Sequence, residues 1–244
     1  MRFFLTLAYK GTAYSGWQIQ DNAPSVQAAL QAALSTLLSE PTEVVGAGRT
    51  DAGVHAAYYV AHFDTVSEKP LDEASFIYHL NAILPKDMAA FGVKRVADEA
   101  HARFSATLRE YKYYLTLEKD PFRTETAYRY PLALDMDRMN QAAAILLEYS
   151  DFDSFCKADG NNKTTICRIF ASGWTRQGNL LIYTIAADRF LRNMVRAIVG
   201  TLIDVGRGKL SVDDFRAIIE AKSRCAAGTS APAHGLFLTD IQYE

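Results

Sequence analysis

The chain has 244 residues, 49% hydrophobic, 22% charged and 11% aromatic, a globular composition that excludes disorder, collagen-like repeats and coiled coil. Its 26 lysines and arginines against 28 aspartates and glutamates leave a formal charge of −2, so composition alone does not mark a nucleic-acid binder. No run approaches the roughly 18 uninterrupted apolar residues of a membrane span, and Cys156, Cys167 and Cys225 lack C-x-x-C spacing, which fits free thiols in a reducing cytoplasm.

Apolar and β-branched runs at 3–9, 43–46, 58–65 and 89–96 read as strands. Between them, Ser25 caps a helix whose Val26, Ala29, Leu30, Ala33, Leu34, Leu37 and Leu38 share one face, closed by Pro41. A second helix runs from about Asp72 to Leu84, burying Phe76, Ile77, Leu80 and Ile83 before Pro85. The first half therefore has the order β-α-β-β-α-β.

The second half follows the same plan: a strand at about 109–117, a helix at 136–149, strands at 166–174 and 179–187, a long helix from about 190, another at 212–222 and a strand at 236–242. Ser211 and Asp214 form a capping box, and the long helix is expected to end at Val205-Gly206 with the glycine in the left-handed position. The expected fold class is α+β, two ferredoxin-like units spanning 1–104 and 105–244, with antiparallel-rich sheets joined around a central cleft. Charge divides unevenly between them. Residues 1–100 carry 7 basic and 11 acidic side chains, whereas residues 157–224 carry 12 basic and 6 acidic, so the basic surface belongs mostly to the second half.

Three segments hold candidate chemistry. Gly46-Ala47-Gly48-Arg49-Thr50-Asp51-Ala52-Gly53-Val54-His55-Ala56 is a glycine-rich loop between strands. It is no nucleotide-binding loop, because Asp51 stands where a dinucleotide fingerprint needs its third glycine and Gly53 is followed by Val54-His55 instead of Lys-Ser/Thr. In an extended stretch Arg49 and Asp51 share a face, and a carboxylate beside guanidinium groups is held ionised, as a nucleophile or base. Glycoside hydrolysis of the usual kind needs a second carboxylate, and Glu43 and Asp64 lie beyond the loop.

The second segment, Arg103-Phe104-Ser105-Ala106 with Arg109-Glu110-Tyr111-Lys112-Tyr113-Tyr114, alternates aromatics and cations, which suits base stacking and phosphate contact as well as an ordinary half-buried strand. In the third, Arg189, Arg192 and Arg196 align on a helix opposite Leu191, Val195, Ile198, Val199 and Leu202, and a buried Arg196 needs a partner such as Asp51. His55 and His62 read as core or hydrogen-bonding residues, with no metal set in the sequence.

Taken in order, these segments resemble the tRNA pseudouridine synthase A (TruA) family nearly end to end. The resemblance rests on Ala8-Tyr9-Lys10-Gly11-Thr12, Tyr14-Ser15-Gly16-Trp17-Gln18, Pro24-Ser25-Val26-Gln27, the Gly48–Ala56 loop, Ala61-His62-Phe63-Asp64 and Leu80-Asn81-Ala82-Ile83-Leu84-Pro85. In the second half it rests on His101-Ala102-Arg103-Phe104-Ser105-Ala106, Tyr111, Met194-Val195-Arg196 with Val199-Gly200-Thr201-Leu202, and Ala231-Pro232 with Gly235-Leu236 and Leu238.

That resemblance implies isomerisation of uridine to pseudouridine at positions 38, 39 and 40 of the tRNA anticodon stem-loop, without cofactor or metal. Asp51 matches the family's catalytic aspartate, Tyr111 the tyrosine stacked on the target uracil, Arg196 the arginine paired with the aspartate, and Arg49 an arginine that helps extrude the base. The C1′–N1 bond breaks, the uracil turns and rejoins through C5. One carboxylate attacking C1′ or removing the 2′ proton suffices, with the tyrosine hydroxyl a candidate for the final C5 proton. Candidate substrate contacts are Arg49, Thr50, His55, Arg103, Phe104 and Arg192, and the family is a homodimer with RNA bridging both subunits. A catalytically silent RNA-binding protein of the same fold is the alternative. The sequence departs from the family at Tyr58-Tyr59, where relatives commonly have Gly-Gln, at Asn193, often histidine, and at Ala197, often asparagine.

Overall fold

A computed structural model describes residues 1–67, 71–157 and 164–244. The chain divides into two units, Met1–Thr107 with Leu238–Glu244, and Leu108–Phe237, so the last seven residues group with the first unit. The expected α+β class stands, with pairing antiparallel throughout the registers given below except for one short parallel contact. Among the described residues no helix is long and apolar enough to cross a membrane.

In the first unit, β1 (Arg2–Tyr9) lies between β3 (His55–Asp64) and β4 (Met88–Arg95), and the short β2 (Val44–Gly46) pairs β3. Phe3 faces Phe63, Leu5 faces Ala61 and Leu7 faces Tyr59 across β1 and β3, while Leu5 faces Val93 across β1 and β4. Alternation along β1 sends Phe3, Leu5, Leu7 and Tyr9 into the core, and Tyr9, at its end, reaches the loop described below. β9 (Leu236–Tyr243), most of which belongs to this unit, runs beside β3.

Helix α1 (Val26–Leu38) starts as expected, the Ser25 hydroxyl accepting the Ala28 N–H at 3.2 Å. It stops at Ser39, whose left-handed backbone (φ 56°) ends the helix before Pro41 is reached. Helix α2 (Glu73–Ile83) is capped by Asp72, buries Phe76 and Leu80, and leaves Ile83 exposed, the inward place being taken by Leu84. Phe63 stacks between Phe3 and Phe76 at 5.7 and 6.0 Å, joining sheet and helix in one core.

The second unit holds all but the first two residues of β5 (Ala106–Thr116), with β6 (Tyr128–Arg129), α3 (Met136–Ile145), β7 (Ile169–Gln177), β8 (Leu180–Ala187), α4 (Met194–Gly206) and α5 (Val212–Glu220). β8 pairs antiparallel with both β5 and β7, and β6 adds two parallel residues to β5 that periodicity does not announce. Helix α3 packs on α4, α5 and β7. Gly206 remains helical, packed so close to Met139 that a Cβ would lie 2.5 Å from its sulfur, and it is Gly208 (φ 71°) that takes the left-handed turn.

Candidate active site

Residues 47–54 link β2 to β3, and an aromatic frame fixes them from inside. The Tyr9 hydroxyl bonds the Thr50 hydroxyl at 2.8 Å, the Trp17 N–H donates to the Thr50 carbonyl at 3.2 Å, and Gly53 N–H donates to the Tyr14 carbonyl at 3.3 Å. Behind them the rings of Trp17 and Tyr59 stack at 4.2 Å, with Tyr9 edge-on to Tyr59 at 5.5 Å. Backbones meet closely here: a Cβ on Gly16, at φ 100°, would lie 2.4 Å from the Thr50 carbonyl oxygen.

The loop alternates. Arg49 is exposed, Thr50 buried and Asp51 half-buried, so the accessible side chains are the two that the extended reading put on one face. His55, expected among the substrate contacts, is fully buried at the start of β3, and its Nδ1 accepts the Gly11 N–H at 2.9 Å. It shapes the loop from within, because the turn Gly11–Ala13 brings a backbone donor that a neutral imidazole satisfies.

Arg103 and Phe104 sit on a separate turn of the same unit. The His101 ring nitrogen Nδ1 accepts the N–H groups of Arg103 and Phe104, and the Ser105 hydroxyl accepts that of His101. Phe104 is 75% exposed, with the Arg103 guanidinium 5.4 Å from its ring. Beneath this turn His62 accepts the Ala102 N–H at 3.1 Å and its ring lies 4.7 Å from that of His101. Burial and the Arg2 charge push the His62 pKa down to about 4, so the acceptor stays neutral. A rigid turn presenting an exposed ring and a cation can stack a base and neutralise a phosphate.

In the second unit Tyr111 lies on β5 opposite Ile185 of β8, half-exposed, its ring met edge-on by Phe190 at 5.1 Å. Tyr113, two residues on, is buried and donates to the Pro232 carbonyl. The arginine series corrects a sequence expectation. Arg189 and Arg192 precede the helix, and of the three only Arg196 lies on α4, because Asn193 adopts a left-handed backbone (φ 65°) that a helix cannot run through. Arg192 is exposed in the resulting turn, whose carbonyl accepts the Lys157 N–H at 3.1 Å. Arg196 is half-buried, its Nε donating to the Ala231 carbonyl at 2.8 Å, and Ser230 beside it is bonded by Asn193 and Arg224.

Sequence reading alone passes over the supports: Tyr9, Trp17 and Tyr59 behind the loop, Phe190 behind Tyr111, and the Ser230-Ala231 strap beside Arg196. Tyr9, Trp17 and Ala231 lie in segments that carry the family resemblance, a signal that could have marked them as part of the site.

Comparison with known proteins bears on the same residues. A family model described as tRNA pseudouridine synthase matches residues 6–105 and 142–244. The chain is similar to proteins named tRNA pseudouridine synthase A, at 56% identity to that of Bacteroides fragilis over 99% of this chain and 96% of the relative. Identity is 53% to that of Parabacteroides distasonis over the same shares, and 41% to that of Bacillus subtilis over 100% of both chains.

Proposed function

Because this chain belongs to the tRNA pseudouridine synthase family, isomerases that convert uridine in tRNA to pseudouridine, we propose that its targets are the uridines at positions 38, 39 and 40 of the anticodon stem-loop. The observation that carries the reading is the loop 47–54, where a buried frame leaves Arg49 and Asp51 accessible.

Asp51 is assigned as the nucleophile at C1′ or the base for the 2′ proton, and Tyr111 as the ring under the flipped uracil and the candidate acceptor of the proton lost at C5. Arg196 is assigned as the cation paired with Asp51. The reaction breaks C1′–N1 and forms C1′–C5, with the proton lost at C5 matched by one gained at N1, so no water is consumed and no cofactor is required by the balance. Extruding the base costs a few kcal/mol, which stacking and phosphate contacts offset. Arg49, Arg103, Phe104 and Arg192, all exposed, fit those contacts. Thr50 and His55, both buried, serve by holding the loop.

The reading extends to a cytoplasmic homodimer, in which the basic second half faces RNA while net charge per chain stays near zero. Asp51→Asn tests the assignment: with unmodified tRNA and no added metal, turnover is abolished while tRNA binding persists. Pseudouridine mapping that showed near wild-type conversion would remove Asp51 from the reaction.

A further inference from the structure

Tyr59 is used by nothing in the mechanism above, yet it is fully buried with its hydroxyl on the catalytic loop. That one oxygen donates to the Gly48 carbonyl at 2.5 Å and accepts the Gly48 N–H at 3.4 Å. On the side where a Cβ would stand Gly48 faces open space: beyond its chain neighbours no atom lies within 4 Å of that point. Van der Waals contact does not restrain this peptide on that side, so hydrogen bonding carries the restraint.

Further along, Tyr9 and Trp17 hold Thr50 by its hydroxyl and carbonyl. Arg49 thus lies between two fixed points, and Asp51 follows directly after the second. Releasing the first lets the Gly48-Arg49 peptide rotate, and the displacement is passed to Arg49 and Asp51. The ring is itself immobilised by its stack on Trp17, by Tyr9 at its edge, and by the close approach of Gly46, where a Cβ would lie 2.1 Å from the Tyr59 hydroxyl.

We propose that Tyr59 is a positioning residue, whose hydroxyl clasps Gly48 and sets the register of Arg49 and Asp51 against the target nucleotide. The proposal rests on the assignment of Asp51 to the reaction. Since a shift of about 1 Å in a reacting group costs on the order of 100-fold, the clasp belongs to rate rather than affinity.

Tyr59→Phe keeps the ring and its stacking and removes only the hydroxyl. In the full-length protein with unmodified tRNA, the expected result is a single-turnover rate at saturating tRNA lowered about 10- to 100-fold, a tRNA Kd within about twofold of wild type, and faster amide exchange confined to the loop 47–54. A wild-type rate, or a loss that only tracks the fraction of unfolded protein, overturns the proposal. Should Tyr59→Phe fail to fold, 4-fluorophenylalanine placed at 59 fills the space of the hydroxyl without donating a hydrogen bond to the Gly48 carbonyl. Its single-turnover rate is then expected to be lowered to the same extent, and a wild-type rate overturns the proposal equally. Asp51→Asn measured alongside separates the two levels: if it remains active, the Asp51 assignment fails, and if it is inactive while Tyr59→Phe turns over normally, the clasp alone fails.

Discussion

Gly46 and Gly48 flank one alanine, yet the space around them is opposite in kind. A Cβ on Gly46 would lie 2.1 Å from the Tyr59 hydroxyl and 2.5 Å from the Trp17 ring, whereas one on Gly48 would meet nothing within 4 Å. Gly46→Ala is therefore expected to destabilise the protein by about 1–3 kcal/mol through overpacking, and Gly48→Ala to stay within about 0.5 kcal/mol. Denaturant unfolding of the pair checks this, and equal losses would contradict the loop geometry described here. At this scale the sequence discloses residue types and spacing: Arg49 and Asp51 emerge from a two-residue period, and their accessibility follows from it. What it hides is where a side chain goes after it enters the core. His55, in the same run as Asp51, reads as a substrate contact and turns inward to a backbone N–H instead, and Tyr59 reads as a departure from the family and proves to be bonded to the loop.

At the scale of elements, local signals were most readable where side chain and backbone meet within a few residues. Ser25 and the Ser211–Asp214 box cap α1 and α5 where the sequence places them, and Asp72, read from the sequence only as the approximate start of α2, proves to be its cap. In the last, the Ser211 hydroxyl accepts the Asp214 N–H at 3.0 Å and the Asp214 carboxylate accepts the Ser211 N–H at 2.8 Å. Ser211→Ala, remote in sequence from the candidate site, is expected to cost about 1 kcal/mol, a fall in Tm of about 3 °C for a chain of this size. Thermal unfolding with an unchanged pseudouridylation rate is the check. The start of α4 was not readable, because apolar periodicity continues through Arg189–Asn193 while the helix does not. Its beginning is set by the sign of one φ angle at Asn193 and by the hydrogen bond from that residue to Ser230, 37 positions away. Two-residue β6 likewise depends on a partner strand rather than on any pattern of its own.

For the molecule as a whole, buried histidine gives stability a dependence on pH. His62 is held neutral by burial and by Arg2, with its pKa lowered from 6.5 to about 4, while His101 beside it is lowered by the same causes. Above pH 6.5 both folded and unfolded chains carry neutral His62, and it contributes no slope. Below that the unfolded chain binds a proton which the fold refuses until about pH 4, so stability declines across this window as pH falls. Tm is expected to drop between pH 6.5 and 5, ahead of general carboxylate titration. His62→Asn, which keeps an acceptor for the Ala102 N–H without a titrating group, should flatten that drop. An unchanged slope would assign it elsewhere.

The first unit is discontinuous in sequence, with residues 108–237 made between its two pieces. During synthesis the loop that bears Asp51 emerges early, but the unit to which it belongs lacks β9 until residues 238–244 follow, when Tyr243 can donate to the Ala102 carbonyl and pack against Phe4. Completion of this unit thus waits on a segment made after the whole of the other, so a ribosome that stalls within residues 108–237 leaves a chain with Asp51 present and its sheet unfinished.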